Sequence, residues 1–324
     1  MRNIPLFRGA SVLSETSRMK DSAMLRSPFL FPEPLPADQP LLYRESGEKA
    51  YILLNRPGRC NAFSLPLLEE FRRRLISLEG RNDLRAVLIA GTGNHFSSGL
   101  DLAEAVRKET VSVDLADPFP LTVLLIEKGF DFFSGRRKGG TVCGVPCGFR
   151  MPWLVAEIFL RLAALPQVVI AAGRGSACGG GGGLLASCDI VLAEPSIRFG
   201  FPECRRGIAP TLLHPFLERR VPSRGLYPAL LTGSAVGASE ALRLGLVDRL
   251  VSDGEAAERA EQTADEVLAG DRERVRETKR IFRAPDRAFF EETADGLARH
   301  WESWNEPSAA EGVAAFLEKR IPRR

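Results

Sequence analysis

Two glycine-bearing segments about eighty residues apart, Phe96-Ser97-Ser98-Gly99-Leu100-Asp101 and Cys178-Gly179-Gly180-Gly181-Gly182-Gly183-Leu184, each follow a short apolar run. The runs are Ala86-Val87-Leu88-Ile89-Ala90, closed by Gly91-Thr92-Gly93, and Gln167-Val168-Val169-Ile170-Ala171-Ala172, closed by Gly173-Arg174-Gly175. Continuous apolar runs bounded by glycine fit strands buried on both faces of a mainly parallel sheet, although a buried helical turn shares the pattern. Leu67 to Leu78 reads as a helix, with Ser64 as its N-cap and Pro66 in its first turn. Strands alternating with helices predict an α/β fold built from βαβ units. Glycine at two strand ends lets bare backbone N–H groups approach a ligand closely. Two amides converging on one oxygen would make an oxyanion hole.

Other glycine motifs fit poorly. Gly91-x-Gly93 and Gly173-x-Gly175 both begin a dinucleotide fingerprint, but Phe96 and Cys178 stand where its third glycine belongs. A NAD-dependent dehydrogenase is therefore a remote alternative. No lysine follows the five-glycine run as a phosphate loop requires, and neither Ser98 nor Ser176 has the glycine two residues upstream that a nucleophile elbow needs. The three histidines, His95, His214 and His300, show no paired metal spacing, and the six cysteines contain no CxxC pair. His95 reads as a loop histidine at the pocket edge. Cys60, Cys178, Cys188 and Cys204 read as small buried residues in a reducing, cytoplasmic compartment. A net charge of +3 over 324 residues does not support nucleic-acid binding. No apolar stretch approaches the ~20 residues of a membrane-spanning helix.

Several segments together resemble the crotonase group, the enoyl-CoA hydratase/isomerase superfamily, over most of residues 41–324. They are Leu54-Asn55-Arg56-Pro57 with Asn61-Ala62-Phe63-Ser64, His95 to Leu102, the glycine run leading to Cys188-Asp189-Ile190, and Phe199-Gly200-Phe201-Pro202-Glu203. Leu231-Thr232-Gly233, Glu240 to Asp248 and the closing Glu311 to Arg320 continue the order. The resemblance implies a ββα spiral core with a helical C-terminal unit. It also implies an acyl-thioester substrate, whose carbonyl oxygen accepts hydrogen bonds from the main-chain amides of Ser98 and Gly180. Prearranged donors of this kind are worth ~3–4 kcal/mol each where enolate charge develops.

Hydratases of the family commonly use two glutamates, and here the first position is Gly183 while Glu203 matches the second. A lone carboxylate suffices to carry a proton between two carbons. The resemblance therefore implies an enzyme with Glu203 as its base, in an apolar pocket for which Phe199, Phe201 and Ile208 are candidates. Double-bond isomerisation or hydration of an enoyl-CoA leads. A decarboxylase, a carbon–carbon bond-forming enzyme or a non-catalytic thioester-binding protein remain alternatives. Coenzyme A, as part of the substrate and not a separate cofactor, would run along Arg59, Cys60, Ala62, Gly99, Leu100, Asp101 and Gly181. Arg56, Arg59 and Lys319 are candidates for its phosphates. An acyl-carrier protein is the other carrier such a site would take, and a homotrimer or dimer of trimers is the assembly the family implies.

Three regions follow. Residues 1–40 read as a flexible, proline-rich extension, with Met19 or Met24 as alternative starts and Glu15 and Asp21 counting against a transit peptide. Residues 41–251 form the core, with an insertion at about 107–151 expected to cap the acyl site or to stay clear of it. Residues 252–324 form the helical unit, with apolar spacing at Val267, Val275, Ile281, Phe289, Leu297, Trp301, Val313 and Phe316.

Overall fold

The computed structural model describes residues 29, 31, 34–107, 109–114, 119–121, 124, 137–138, 141–222 and 224–323. The chain opens with β1 (Leu41–Ser46), β2 (Lys49–Leu54), helix α1 (Leu65–Leu78), β3 (Ala86–Gly91), the short α2 (Leu102–Ala105), β4 (Thr110–Asp114), β5 (Arg137–Lys138), β6 (Thr141–Pro146) and α3 (Cys147–Ala164). It continues through β7 (Val168–Gly173), β8 (Ser176–Cys178), α4 (Gly180–Ser187), β9 (Ile190–Ala193), β10 (Arg198–Gly200), α5 (His214–Glu218), α6 (Tyr227–Thr232), β11 (Ala235–Gly237), α7 (Ala238–Leu244) and β12 (Arg249–Leu250). Four helices close it: α8 (Ala256–Ala269), α9 (Arg272–Arg283), α10 (Arg287–Trp304) and α11 (Pro307–Leu317).

The six-stranded sheet runs β1-β2-β3-β7-β9-β12, antiparallel only at the β1–β2 hairpin. Both apolar runs singled out in the sequence are adjacent central strands, with Val87 opposite Val169 and Ile89 opposite Ala171. They are buried on both faces, as an unalternating apolar run requires. One face packs on α1, α3 and the small sheet β11-β10-β8, the other on α8. The mixed α/β architecture agrees with the sequence expectation.

Helix α1 begins where the sequence placed it: Ser64 Oγ accepts from Leu67 N–H at 3.3 Å, and Leu67, Leu68, Phe71, Leu75 and Leu78 are its buried stripe. Ser64→Ala is expected to lower the unfolding free energy by about 1 kcal/mol, the usual value of such a cap. Urea unfolding with an unchanged midpoint would show that packing alone holds the helix.

A buried ion pair ties the helical unit to the core. Lys279 Nζ lies 2.7 Å from Asp189 and donates to the carbonyls of Gln167 and Leu162 at 2.6 and 3.3 Å. Burial lowers the Lys279 pKa while Asp189 opposes the shift, so the ammonium persists only because it is so fully partnered.

Of the segment expected as a flexible extension, residues 1–28, 30 and 32–33 lie outside the described residues. Phe29 and Phe31 are buried, Phe29 packs on Tyr51 with ring centroids 5.6 Å apart, and Asn55 Nδ2 donates to the carbonyls of Pro36 and Gln39. The packed body thus begins before Leu41. Within 107–151 the described strands β4, β6 and β5 form a separate three-stranded sheet, and Leu121, Val145 and Phe149 join the main core. Most of Leu121 to Ile126 and of Gly135 to Gly140 falls outside the described residues. In the C-terminal unit, Ile281 is 66% and Phe316 50% exposed, so these two positions depart from the expected apolar stripe. No helix among the described residues is long and apolar enough to cross a membrane.

Candidate active site

Backbone pairing brings the two glycine segments side by side. Phe96 N–H donates to Arg174 O, Ser97 N–H to Ser176 O and Cys178 N–H back to Ser97 O, at 2.8, 3.0 and 2.9 Å. A parallel bridge joins Ser97 to Ala177, and another joins Phe63 to Leu100. Gly99, at φ +82°, lies so close to its partner that a Cβ there would stand 2.5 Å from the Cys178 carbonyl oxygen. Only glycine permits that approach. His95 is a structural part of the same junction: its Nδ1 accepts from Ser176 N–H, and its carbonyl accepts from Asn61 Nδ2.

The two expected oxyanion donors differ in their present engagements. Gly180 opens α4, and no described backbone acceptor takes its N–H, as expected for the first turn of a helix. The Ser98 N–H donates to the Cys60 carbonyl at 2.9 Å. Cys60 and Asn61 both hold left-handed backbone, φ 48° and 53°, uncommon for non-glycine residues, and that turn delivers the carbonyl to Ser98. The Ser98 N–H expected to serve as an oxyanion donor is thus already engaged.

Glu203 starts a 3-10 turn that runs to Arg206 after Pro202. Its Oε1 overhangs Gly179, where a Cβ would come within 2.9 Å. Its Oε2 is buried and has no hydrogen-bond partner among the described residues. Burial pushes the carboxyl pKa up to about 7, its own backbone N–H and Arg206 offsetting only part of that. Helix α11 clamps the turn: a Cβ on Gly207 would stand 2.3 Å from Ser308 O, and one on Gly312 2.3 Å from Arg206 O. The Arg206 guanidinium lies 4.1 Å from the Phe316 ring centroid, which explains why that exposed phenylalanine sits there.

One pocket gathers Ser98, Leu100, Gly179, Gly180 and Glu203, with Leu102, Pro152, Val155, Ile208, Leu212 and Leu213 as its apolar wall. Ile208 lines it as expected. Phe199 and Phe201 do not; they are fully buried in the core, Phe201 beneath Gly182. Gly183 is walled in, since a Cβ would stand 2.6 Å from the Phe159 ring and 2.9 Å from Leu213. None of the described residues of 107–151 lines the pocket; Leu121, Val145 and Phe149 are buried in the main core, and the pocket wall resumes at Pro152.

The residues expected along coenzyme A divide. Leu100 faces the pocket, and Arg59 is exposed at the turn leading to Cys60. Asp101 pairs with Arg56 at 3.1 Å, and Arg56 also donates to the carbonyl of Ala62, so these three brace the loop. Gly99 and Gly181 are buried packing positions, Gly181 against the Ser97 carbonyl. Lys319 is exposed beyond α11. Cys188 is buried, but Cys60 and Cys178 are only partly so and Cys204 is exposed, contrary to the reading of all four as buried. Sequence reasoning missed Arg206, His300 and Trp304 as pocket residues. No group of three or more potential metal-ligating side chains occurs among the described residues.

Residues 45–118 and 153–323 match the family described as enoyl-CoA hydratase/isomerase, and the unmatched interval falls largely within the expected insertion. A Thermus thermophilus protein bearing the enoyl-CoA hydratase name is 31% identical over 86% of this chain and 98% of its own. The short-chain-enoyl-CoA hydratase of Clostridium acetobutylicum is 28% identical over 86% of this chain and 95% of its own. Among solved structures, an enoyl-CoA hydratase from Mycobacterium avium subsp. paratuberculosis superposes with TM-score 0.67 at 20% identity, covering 90% of this chain and 99% of that one. At that identity the last likeness speaks to the fold.

Proposed function

The chain belongs to the enoyl-CoA hydratase/isomerase family, and on that premise we propose that it is an acyl-CoA enzyme in which a single carboxylate, Glu203, moves a proton on the acyl chain. The observation that carries the reading is the placement of Glu203. Its carboxyl sits in an apolar pocket with one oxygen unpartnered, beside the amide-bearing end of α4. A carboxyl poised at about 7 is half ionised near neutrality, where a general base works best.

Glu203 would take a proton from the carbon next to the thioester, or from the γ carbon of an enoyl group. The electron pair moves onto the thioester oxygen, which Gly180 N–H receives at the positive end of the α4 dipole. Ser98 N–H joins once it exchanges the Cys60 carbonyl for the thioester oxygen. Return of the proton to a different carbon completes a double-bond shift, with Glu203 regenerated and no separate cofactor consumed. Isomerisation is favoured over two-carboxylate hydration because Phe159 and Leu213 occupy the space beside Gly183. Assembly as a homotrimer or pair of trimers rests on the family resemblance alone and is tested by sedimentation equilibrium.

The deciding experiment is proton NMR in D2O with a saturated acyl-CoA, a 2-enoyl-CoA and a 3-enoyl-CoA. Deuterium entering at C2 together with a shifted double bond is the expected result. A hydroxyl appearing at C3 would instead identify a hydratase. Measurable binding without exchange or turnover would remove the enzyme reading.

A further inference from the structure

Glu203 and Arg206 are the first and last residues of one 3-10 turn. Side chains three residues apart eclipse in such a turn, so the two stand on the same face. Both line the pocket, whereas the intervening Cys204 and Arg205 are exposed, Arg205 donating to the Thr232 carbonyl at 2.6 Å. Among the described residues that line the pocket, Glu203 and Arg206 are the charged ones, because burial pushes the His300 pKa down to about 4 and leaves that ring neutral at pH 7.

The Arg206 guanidinium has no hydrogen bond or ion pair to a described residue. It is half-buried, and its nitrogens are not among the sealed, unpartnered atoms of the interior, so they keep surface open to an occupant. The Phe316 ring, 4.1 Å away, stacks on the guanidinium, which fixes its plane and leaves the N–H donors at the edge of that plane unused. Burial lowers the Arg206 pKa, and the acids that oppose the shift through space are Glu203 and the Cys178 thiol. Neither supplies a standing counter-charge: Glu203 is half protonated near neutrality, and burial pushes the Cys178 thiol up, so it stays neutral. A permanent cation therefore faces an otherwise apolar pocket, with Leu102, Ile208, Leu212 and Leu213 on the wall and no anion in contact.

A partly desolvated charge is costly unless it is paired, and a plain hydrocarbon acyl chain would pair none of it. A carboxylate accepts only, and its two oxygens match the planar fork of a guanidinium. Because Arg206 is already held by Phe316, it loses little freedom when such a group arrives. We propose that Arg206 is an anion-binding subsite at the acyl pocket, selecting acyl thioesters whose chain carries a second, free carboxylate. This deepens the acyl-thioester reading and rests on it. Coenzyme A brings phosphates of its own, the other anions that a guanidinium could take, so the test varies the acyl end alone.

The test is calorimetric titration of the full chain with two ligand pairs, pentanoyl-CoA with glutaryl-CoA and hexanoyl-CoA with adipoyl-CoA, each differing by a terminal methyl or a terminal carboxylate. Wild type, Arg206→Lys and Arg206→Gln are compared. In at least one pair the carboxylate is expected to bind the wild type tenfold or more tighter. Arg206→Lys, which keeps the charge and loses the fork, is expected to retain part of that ratio, and Arg206→Gln to bring it to about one. Equal affinity within both pairs for the wild type overturns the inference whether or not the variants fold, and leaves the acyl-thioester reading standing. A preference that persists in Arg206→Gln also overturns it. So does an Arg206→Gln variant that weakens both members of a pair equally, because the guanidinium then serves a phosphate of coenzyme A. If none of the four ligands binds, the acyl-thioester reading itself fails and the inference falls with it.

Discussion

Glu203→Gln is expected to abolish turnover, lowering kcat by roughly three orders of magnitude, within the range that positioned acid–base groups contribute. The affinity for a saturated acyl-CoA should change little, because glutamine keeps the size of the side chain. The same substitution should make the protein more stable at alkaline pH. The Glu203 carboxyl is held at about 7 against an ordinary 4.5, so its protonated form is favoured in the folded state. Below 4.5 both folded and unfolded chains carry the proton and there is no penalty. As pH rises from 4.5 to 7 the unfolded chain releases it first and stability is lost; above 7 the loss is constant, on the order of 3 kcal/mol. Thermal unfolding of wild type and Glu203→Gln should therefore nearly coincide at pH 4 and separate by several degrees at pH 8, with the variant higher. The rate of the wild type should climb with pH through about 7 as the base ionises. A variant that loses activity but gains no stability at pH 8 would show that the carboxyl is not held against ionisation by burial, and the base assignment would lose its physical ground.

What was legible in the sequence is what glycine and apolar runs determine locally. The strands Ala86–Gly91 and Val168–Gly173, the Ser64 cap and the meeting of Gly99 with Cys178 all follow from residues that leave the backbone few choices. The place of Glu203 in an apolar pocket was legible through its motif, but the members of that pocket were only partly foreseen. Ile208 lines the pocket, but Phe199 and Phe201 are spent on the core beneath α4. The sequence carried no signal that Ser98 N–H would be held by the Cys60 carbonyl, because that bond depends on a left-handed turn at two non-glycine residues. Nor did it mark His300 and Trp304. They reach the pocket only because α10 and α11 dock back over the Glu203 turn, and a histidine on an amphipathic helix looks the same whether it faces core, solvent or ligand. Arg56 and Asp101 illustrate the converse. Both lie in the matched motifs, yet they pair with each other, so their charges brace the loop.

Gly183→Glu, which restores the carboxylate that two-glutamate hydratases carry, is expected to unfold the site and not to convert it. The first atom of the new side chain would stand 2.6 Å from the Phe159 ring and 2.9 Å from Leu213, inside contact distance of two core groups. Phe159 cannot step aside easily, since it is 1% exposed and packs edge-on against Phe216 at 5.2 Å between centroids. Overpacking of this kind costs about 1–3 kcal/mol, and burying a carboxyl without a partner adds a few more, so a loss on the order of 4 kcal/mol is expected in urea unfolding. Gly183→Ala should show the overpacking part alone. The comparison separates sterics from charge, and water addition to a 2-enoyl-CoA should rise in neither variant. Were Gly183→Glu to fold with near wild-type stability and hydrate a 2-enoyl-CoA faster, the wall formed by Phe159 and Leu213 would have to be soft. The single-carboxylate character of the site would then be a matter of one missing side chain. As the residues stand, it is built into the packing: the space beside Gly183 is filled from two other helical segments, α3 and the turn before α5, and no substitution at residue 183 alone removes them.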